Sequence, residues 1–408
     1  MNASRPAVAG ALTAEEIDDA RALTPGCAAD RHRVHLNHAG CSLPPRTVID
    51  AQLSYLQAEA LEGGYEVAAG SVGVTDAVYD SIGRLIGAQP HEIARFEHAT
   101  AAWNAAFWSL PMDAGQRILV HDHEYGANAV AFVRATETRG VVIDRVPSDS
   151  TGQVSVDAMA TALAAGDVAL VSLTHVPTNG GLVNPAAEIG ALTRAAGVPY
   201  LVDACQSVGQ LAIDVQAIGC DFLSATGRKY LRGPRGTGFL YVADSILDRA
   251  VPAHPDHHGA DLVAVDRYEL MPDARRFEYW EYNHAAWHGL GAAVDHTLWW
   301  GIDRIEATVT QRAAELRGLL REAGFVVHDQ GARQCGIVTT TSADPAGPSA
   351  QELWETLTRH GVNSSVTMVG SSRYDVERRN LPPLLRLSVH YTTTSAELAD
   401  TVAILARA

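Results

Sequence analysis

The sequence predicts an α/β protein in which a mostly parallel central sheet is covered by helices, with a smaller α+β domain after it. Two observations carry this prediction. From about residue 47 onward, short apolar runs alternate with helical stretches, the pattern of strands buried on both faces and joined by crossovers. Nearly half of the 408 residues (47%) are hydrophobic, so a large core is available, and the length corresponds to roughly two or three domains.

The elements follow in chain order. Residues 1–46 read as an Ala-rich N-terminal arm of mixed charge with one helix. Residues 47–301 read as the large domain. Its predicted strands are RILVH (117–121), GVVIDRV (140–146), VALVSLT (168–174), PYLVDA (199–204), DFLSA (221–225) and TGFLYV (237–242). Helical stretches such as PAAEIGALTRAAG (185–197) separate several of them. Residues 302–408 read as the small domain. It begins with the long amphipathic helix DRIEATVTQRAAELRGLLREAG and continues with the strands FVVHD, GIVTTTS and LLRLSVHY, with helices between. A parallel sheet of this kind places its site at the carboxyl ends of the strands.

Composition excludes several function classes. The net charge of −16 argues against a basic nucleic-acid face. No apolar run is long enough to span a bilayer, so no membrane partner is expected. The stretch MNASRPAVAGALTAEE lacks a basic segment followed by an apolar one, so no secretory signal is expected. The five cysteines, Cys27, Cys41, Cys205, Cys220 and Cys335, are odd in number and form no C-x-x-C pair. They read as reduced thiols of a cytoplasmic protein. The His-rich runs HDHE (121–124) and HPDHHGAD (254–261) lack HExxH spacing and a clear third ligand, so no metal site is expected. RGPRGTG does not fit a P-loop, because no lysine follows its glycines.

Lys229 is the only lysine of the chain; the other 30 basic residues are arginines. Codon bias explains why lysine is scarce but not why this one survives. An amine can lose its proton and attack a carbonyl, whereas a guanidinium stays charged at any workable pH. Asp203 ends a predicted strand 26 residues earlier, room for one crossover and a strand, so both residues can share one sheet edge. An acid and a lysine at strand ends suit pyridoxal phosphate: the lysine forms a Schiff base and the carboxylate keeps the pyridine nitrogen protonated. The phosphate needs hydroxyls, a cation and backbone N–H groups at a helix N-terminus. EHATAAWN (97–104), Thr226 and Arg228 are candidates.

VDACQSVGQ followed by GRKYLRGPRGTGFLYV resembles the class V, fold-type I pyridoxal-phosphate enzymes, and the likeness runs from HLNHAGCSLPP (35–45) to LLRLSVHYTTT (384–394). The resemblance implies a pyridoxal-phosphate-dependent transferase fold of type I. It implies that Lys229 is the Schiff-base lysine, Asp203 the pyridinium partner, and Gln206 the residue bonded to the phenolic oxygen. Thr100 with the backbone around Ala99 matches the phosphate loop. Thr226 and Arg228 match phosphate-contacting positions, although desulfurases usually carry His where Arg228 stands. Tyr125 falls where a ring stacks on the cofactor, and Thr178, Tyr282 and Asn283 complete the implied cofactor set. Arg386 matches the arginine that grips the substrate α-carboxylate, with Asn37 and His38 near it. The arm 1–46 is implied to join the small domain and the substrate site. The segment FEYWEYNHAAWHG is implied to reach a partner subunit's site, giving a homodimer with shared active sites.

One departure bears on the reaction. Desulfurases carry a nucleophilic cysteine shortly before the carboxylate-binding arginine, and the segment 361–386 here contains none. Cys335 lies too early in the chain, and Cys205 reads as a small core residue. Desulfuration through a protein persulfide is therefore disfavoured. GGY (63–65), EYGAN (124–128), SATGRK (224–229) and EYNHAA (281–286) are similar to the C–S lyases of ergothioneine biosynthesis and to enzymes of S-cysteinyl conjugates in sulfur-containing antibiotic pathways, including the lincosamides. The resemblance implies β-elimination from an S-substituted L-cysteine conjugate, releasing pyruvate and ammonia. Decarboxylation-dependent oxidative deamination of such conjugates, transamination and epimerisation are the alternatives, and an inactive cofactor-binding scaffold is the non-enzyme alternative.

Overall fold

The central strands send alternate side chains into two separate apolar clusters, which is why they read as continuous apolar runs. In the computed structural model, which describes residues 10–28 and 33–408, Leu119, Val171, Leu173, Val202 and Leu223 pack on one face. Ile118, Val120, Leu170, Leu201 and Phe222 pack on the other. Each such side chain contributes about 1.5–3 kcal/mol when fully buried. The predicted arm lies outside the described residues at 1–9 and 29–32.

The main sheet has seven strands. In spatial order they are Ile93–Phe96, Gly238–Val242, Phe222–Thr226, Tyr200–Asp203, Val168–Thr174, Arg117–His121 and Val142–Val146. Only Gly238–Val242 runs against its neighbours. The predicted mostly parallel sheet is therefore observed, with six strands where the sequence placed them. The seventh, Ile93–Phe96, went unread because Arg95 interrupts its apolar run. That arginine is buried against Glu278, with Nη1 to Oε2 at 2.7 Å. Helices cover both faces. One of them, Ala186–Ala196, ends on Gly197 in the left-handed conformation, the usual glycine stop.

The second sheet has four strands in the order Phe325–Val327, Ile337–Ser342, Leu385–Ser388 and Ser365–Val366, all antiparallel. The long helix Ile302–Glu322 packs on it through Ile305, Val309, Leu316 and Leu320. Ile17 and Ala20 of the N-terminal helix Ala14–Ala22 enter the same cluster. Residues Asn37 and Ser388 form a bridge, which ties the arm to the strand Leu385–Ser388 of this second sheet. Among the described residues no helix is long and apolar enough to cross a membrane.

Candidate active site

Asp203 and Lys229 meet at one edge because adjacent parallel strands deliver them. Asp203 closes the strand Tyr200–Asp203 and pairs in register with Ser224; Lys229 follows the strand Phe222–Thr226 by one tight turn. That turn is closed by Gly227 N–H to Thr237 O (3.0 Å), Gly233 N–H to Gly227 O (2.8 Å) and Arg232 N–H to Lys229 O (2.9 Å). Gly209, six residues after Asp203, has φ +95°, and a Cβ there would lie 2.4 Å from the Tyr230–Leu231 peptide. Only glycine lets the aspartate turn press against the lysine turn.

Lys229 is 7% exposed and has no carboxylate within ion-pair distance among the described residues. Burial lowers its pKa, and the Arg228 charge adds to that effect, while Cys205 and Asp203 oppose it. A buried amine of this kind gives up its proton more readily than an ordinary lysine. Asp203 accepts two hydrogen bonds, from the Cys205 N–H (2.9 Å) and from Asn128 Nδ2 (3.1 Å).

A second cluster lies beside this pair. Gln206 is buried; its Nε2 donates to Ala39 O (3.1 Å) and Thr178 Oγ1 (3.3 Å), and its Oε1 has no partner. Arg386, on the strand Leu385–Ser388, donates to Thr178 O (2.9 Å), Thr178 Oγ1 (3.1 Å), Ser365 Oγ (3.0 Å) and Asn37 Oδ1 (3.4 Å). All four acceptors are neutral. Burial lowers the pKa of this guanidinium, the mark of a cation without a counter-charge.

The phosphate-side candidates are less uniform. The helix Ala99–Ser109 begins at an N-cap, His98, whose ring accepts from Ala101 N–H at 3.0 Å. The N–H groups of Ala99 and Thr100 have no hydrogen-bond partner among the described residues. Thr226 Oγ1 donates to Thr237 O at 3.1 Å, and the Arg228 guanidinium donates to Gly40 O. Tyr125 is 36% exposed at the start of the helix Gly126–Arg139.

Three predicted residues point elsewhere within the chain. His38 bonds Ser42 Oγ (3.0 Å) and packs edge-on against His35 and His390, so Asn37, not His38, reaches Arg386. Tyr282 lies under the Arg95 guanidinium at 3.7 Å. Asn283 caps the helix His284–Trp300 by accepting from Ala286 N–H at 2.8 Å. Both line a small cleft with Gly236 and Thr237.

The sequence reading missed Glu124, Asn128 and Thr174. Glu124 is buried, accepts from Thr174 N–H (3.2 Å) and Thr174 Oγ1 (3.0 Å), and shares Asn128 Nδ2 with Asp203. Desolvation pushes its carboxyl up to about 7, Asp203 adds to the rise, and the Asn128 and Thr174 hydrogen bonds moderate it. The sequence carries Glu124 and Asn128 only as parts of HDHE and EYGAN, and no local pattern joins them to Asp203.

The wall opposite Tyr125 comes from the segment before Arg386. A Cβ on Gly126 would lie 2.1 Å from Gly370 O, and Asn179 Nδ2 donates to Ser371 Oγ at 3.2 Å. Hydroxyls, not thiols, line this wall. Cys205 lies beside Lys229, and Cys41 lies in the turn after Asn37.

The donor set fits pyridoxal phosphate and an amino acid. It offers a buried amine, a carboxylate for a ring nitrogen, an unpartnered amide oxygen, a helix start with free N–H groups, and two guanidinium groups lacking carboxylates.

The chain matches the aminotransferase class-V family over residues 34–400. It is 32% identical over 282 residues to a probable cysteine desulfurase of Synechocystis sp., covering 67% of this chain and 66% of that protein, just under two thirds of its length. It is 28% identical over 367 residues to a probable hercynylcysteine sulfoxide lyase of Mycobacterium tuberculosis, covering 90% of this chain and 87% of that one. Among solved structures, a variant of C-DES with glycine linked covalently to its pyridoxal-phosphate cofactor superposes with a TM-score of 0.83 at 22% identity, covering 95% of this chain and 98% of that one.

Proposed function

The chain belongs to the class-V aminotransferase family, and from that premise we propose that it is a pyridoxal-phosphate-dependent C–S lyase. Its substrate would be an S-substituted L-cysteine conjugate of the ergothioneine type or of a sulfur-containing antibiotic pathway. Residues 47–301 would form the cofactor domain and 302–408 the small domain, with the arm 1–46 closing the substrate site. The working unit would be a cytoplasmic homodimer, whose second copy would bring Tyr282 and Asn283 to the phosphate.

The observation that carries the lyase reading is the wall before Arg386. It presents Ser365 and Ser371 and, from 361 to 386, no cysteine. A reaction that expels the sulfur group needs no protein thiol there.

Lys229 would hold the cofactor, Asp203 its ring-nitrogen proton, Gln206 its phenolic oxygen, and Ala99, Thr100, Thr226 and Arg228 its phosphate. When bound, pyridoxal phosphate supplies an electron sink next to the substrate Cα. Arg386 grips the substrate carboxylate with a planar fork, and Thr178 and Asn37 fix the orientation of that fork. Lys229, whose burial favours the neutral amine, would take the Cα proton. A sulfenate or thiolate leaves readily from Cβ, and the remaining three-carbon fragment hydrolyses to pyruvate and ammonia.

A second reading, cysteine desulfuration, draws on the Synechocystis relative. Products separate the two. Wild-type protein given S-substituted cysteines is expected to yield pyruvate; alanine with a persulfide would support desulfuration, and an aldehyde with CO2 would support decarboxylative deamination. Lys229→Ala should remove the visible cofactor band and lower turnover by about 10²–10⁴-fold through the lost base alone. A wild-type protein that purifies and reconstitutes without any cofactor band would refute the proposal.

A further inference from the structure

Asp203 is backed by a second buried carboxyl. Asn128 sits in the first turn of the helix Gly126–Arg139, and its single amide nitrogen reaches two acids: Asp203 Oδ2 at 3.1 Å and Glu124 Oε2 at 3.2 Å. Glu124 is 1% exposed. Its remaining bonds come from Thr174, backbone and hydroxyl, and Thr174 is the strand neighbour of Asp203. The titratable groups that face Glu124 are Asp203 across the amide, Tyr200 from the same strand as Asp203, and Tyr374 from the helix Arg373–Arg379. None of them is a cation.

We propose that Glu124 is a positioning residue for Asp203, acting through Asn128: it anchors the bridging amide and stores the one proton that two adjacent buried carboxyls must share, which leaves Asp203 ionised toward the cofactor. The role rests on reading Asp203 as the partner of the pyridine nitrogen. Two carboxylates in a dry site cannot both ionise freely. The proton goes to the more deeply buried acid, at 1% exposure against 6% for Asp203. Glu124, pushed up to about 7, is that acid, and its O–H can be received by the Thr174 hydroxyl. Asp203 keeps its charge with two N–H donors. When Glu124 loses its proton, the added negative charge strengthens the hold of Asp203 on any protonated ring nitrogen.

Glu124→Gln is close in shape, and its one amide oxygen can still accept from Asn128 and the Thr174 hydroxyl, but its amide nitrogen faces the Thr174 N–H and it carries no proton to release. The first readout is the visible spectrum of the cofactor-loaded protein from pH 5 to 9. Glu124→Gln should lower the apparent pKa of the cofactor transition, weakening its proton affinity by roughly 10-fold. Asn128→Ala should shift it the same way, and Glu124→Asp should restore part of the wild-type value. The second readout is urea unfolding of the cofactor-free chain. A carboxyl raised in the folded state loses stability as pH rises from its unfolded value, 4.5, to about 7. The unfolding equilibrium of wild type should therefore move against that of Glu124→Gln by on the order of 100-fold across this window, then level off. A Glu124→Gln protein whose spectrum titrates like wild type, or whose stability differs from wild type by the same amount at every pH, overturns the role while leaving the cofactor reading intact. A wild-type chain that binds no cofactor overturns both.

Discussion

Two arginines, the buried Arg317 and the half-buried Arg386, divide the molecule into charges that are closed and charges that are open. Arg317, on the long helix Ile302–Glu322, meets Asp329 at 2.8 Å and donates to the carbonyls of Cys335 and Ile337. Arg386, on a strand of the sheet that this helix packs against, finds only Thr178, Ser365 and Asn37. A buried cation without an anion is costly, and a fold keeps one where a ligand supplies the missing charge. Absence of a carboxylate is not sufficient by itself. Arg232 is buried and lacks one as well, but it is spent on Leu43 O, Tyr391 Oη and Thr24 Oγ1, and it ties the arm to the lysine turn. Arg386 differs in sharing Thr178 with Gln206, three residues after Asp203.

The sharpest break of this comparison is to remove the closed cation. Arg317→Met leaves Asp329 buried and unpaired, so stability should fall by about 3–5 kcal/mol, read as a lower urea midpoint. Arg386→Gln should do the opposite. Nothing negative is stranded, so the midpoint should hold or rise, while KM for an amino-acid substrate climbs by about 10–100-fold, the value of hydrogen bonds to a charged group. If Arg386→Gln destabilises the protein and leaves KM alone, Arg386 is a structural arginine and the open–closed distinction fails.

The same distinction explains what was legible in the sequence. Lys229 and Asp203 could be placed because strand ends on a parallel sheet converge, and the sheet itself was readable from its apolar runs. Arg386 could be assigned only through the resemblance, since a lone arginine inside a strand usually faces water. Glu124 and Asn128 were not legible as partners of Asp203. Their bond joins positions 75 residues apart, and no local pattern announces that a helix start will dock on a strand end. His38 shows the converse limit: it adjoins Asn37 in sequence, but its ring turns into a cluster with His35 and His390.

A third closed charge tests the wall of the site. Asp375, on the helix Arg373–Arg379, meets His123 at 3.2 Å and also pairs with Arg378 and Arg379. Burial alone would raise its pKa, but the hydrogen bond and charge of His123, with the two arginines, hold it down to about 2 from 3.8. A depressed carboxyl contributes stability that is complete above its unfolded value and is lost as pH falls through the folded one. Wild type should therefore lose about 2 kcal/mol between pH 3.8 and 2 from this group, and Asp375→Asn should lack that part of the acid-unfolding curve. An unchanged curve would mean that the segment before Arg386 is not held by this charge.

The smallest expected effect bears on the chemistry. Cys205 lies beside Lys229, and burial raises the pKa of its thiol, which keeps it in the protonated, poorly nucleophilic form. Cys41 lies in the turn whose Gly40 carbonyl holds Arg228. If sulfur leaves with the substrate's own substituent, neither thiol touches it, and Cys205→Ala and Cys41→Ser should each keep turnover within about 3-fold of wild type, the scale of a ~0.5 kcal/mol packing change. A far larger loss in Cys41→Ser, with alanine among the wild-type products, would place a sulfur acceptor on the turn after Asn37 instead of on the wall before Arg386. The lyase reading would then give way to desulfuration by a thiol supplied from the opposite side of the site.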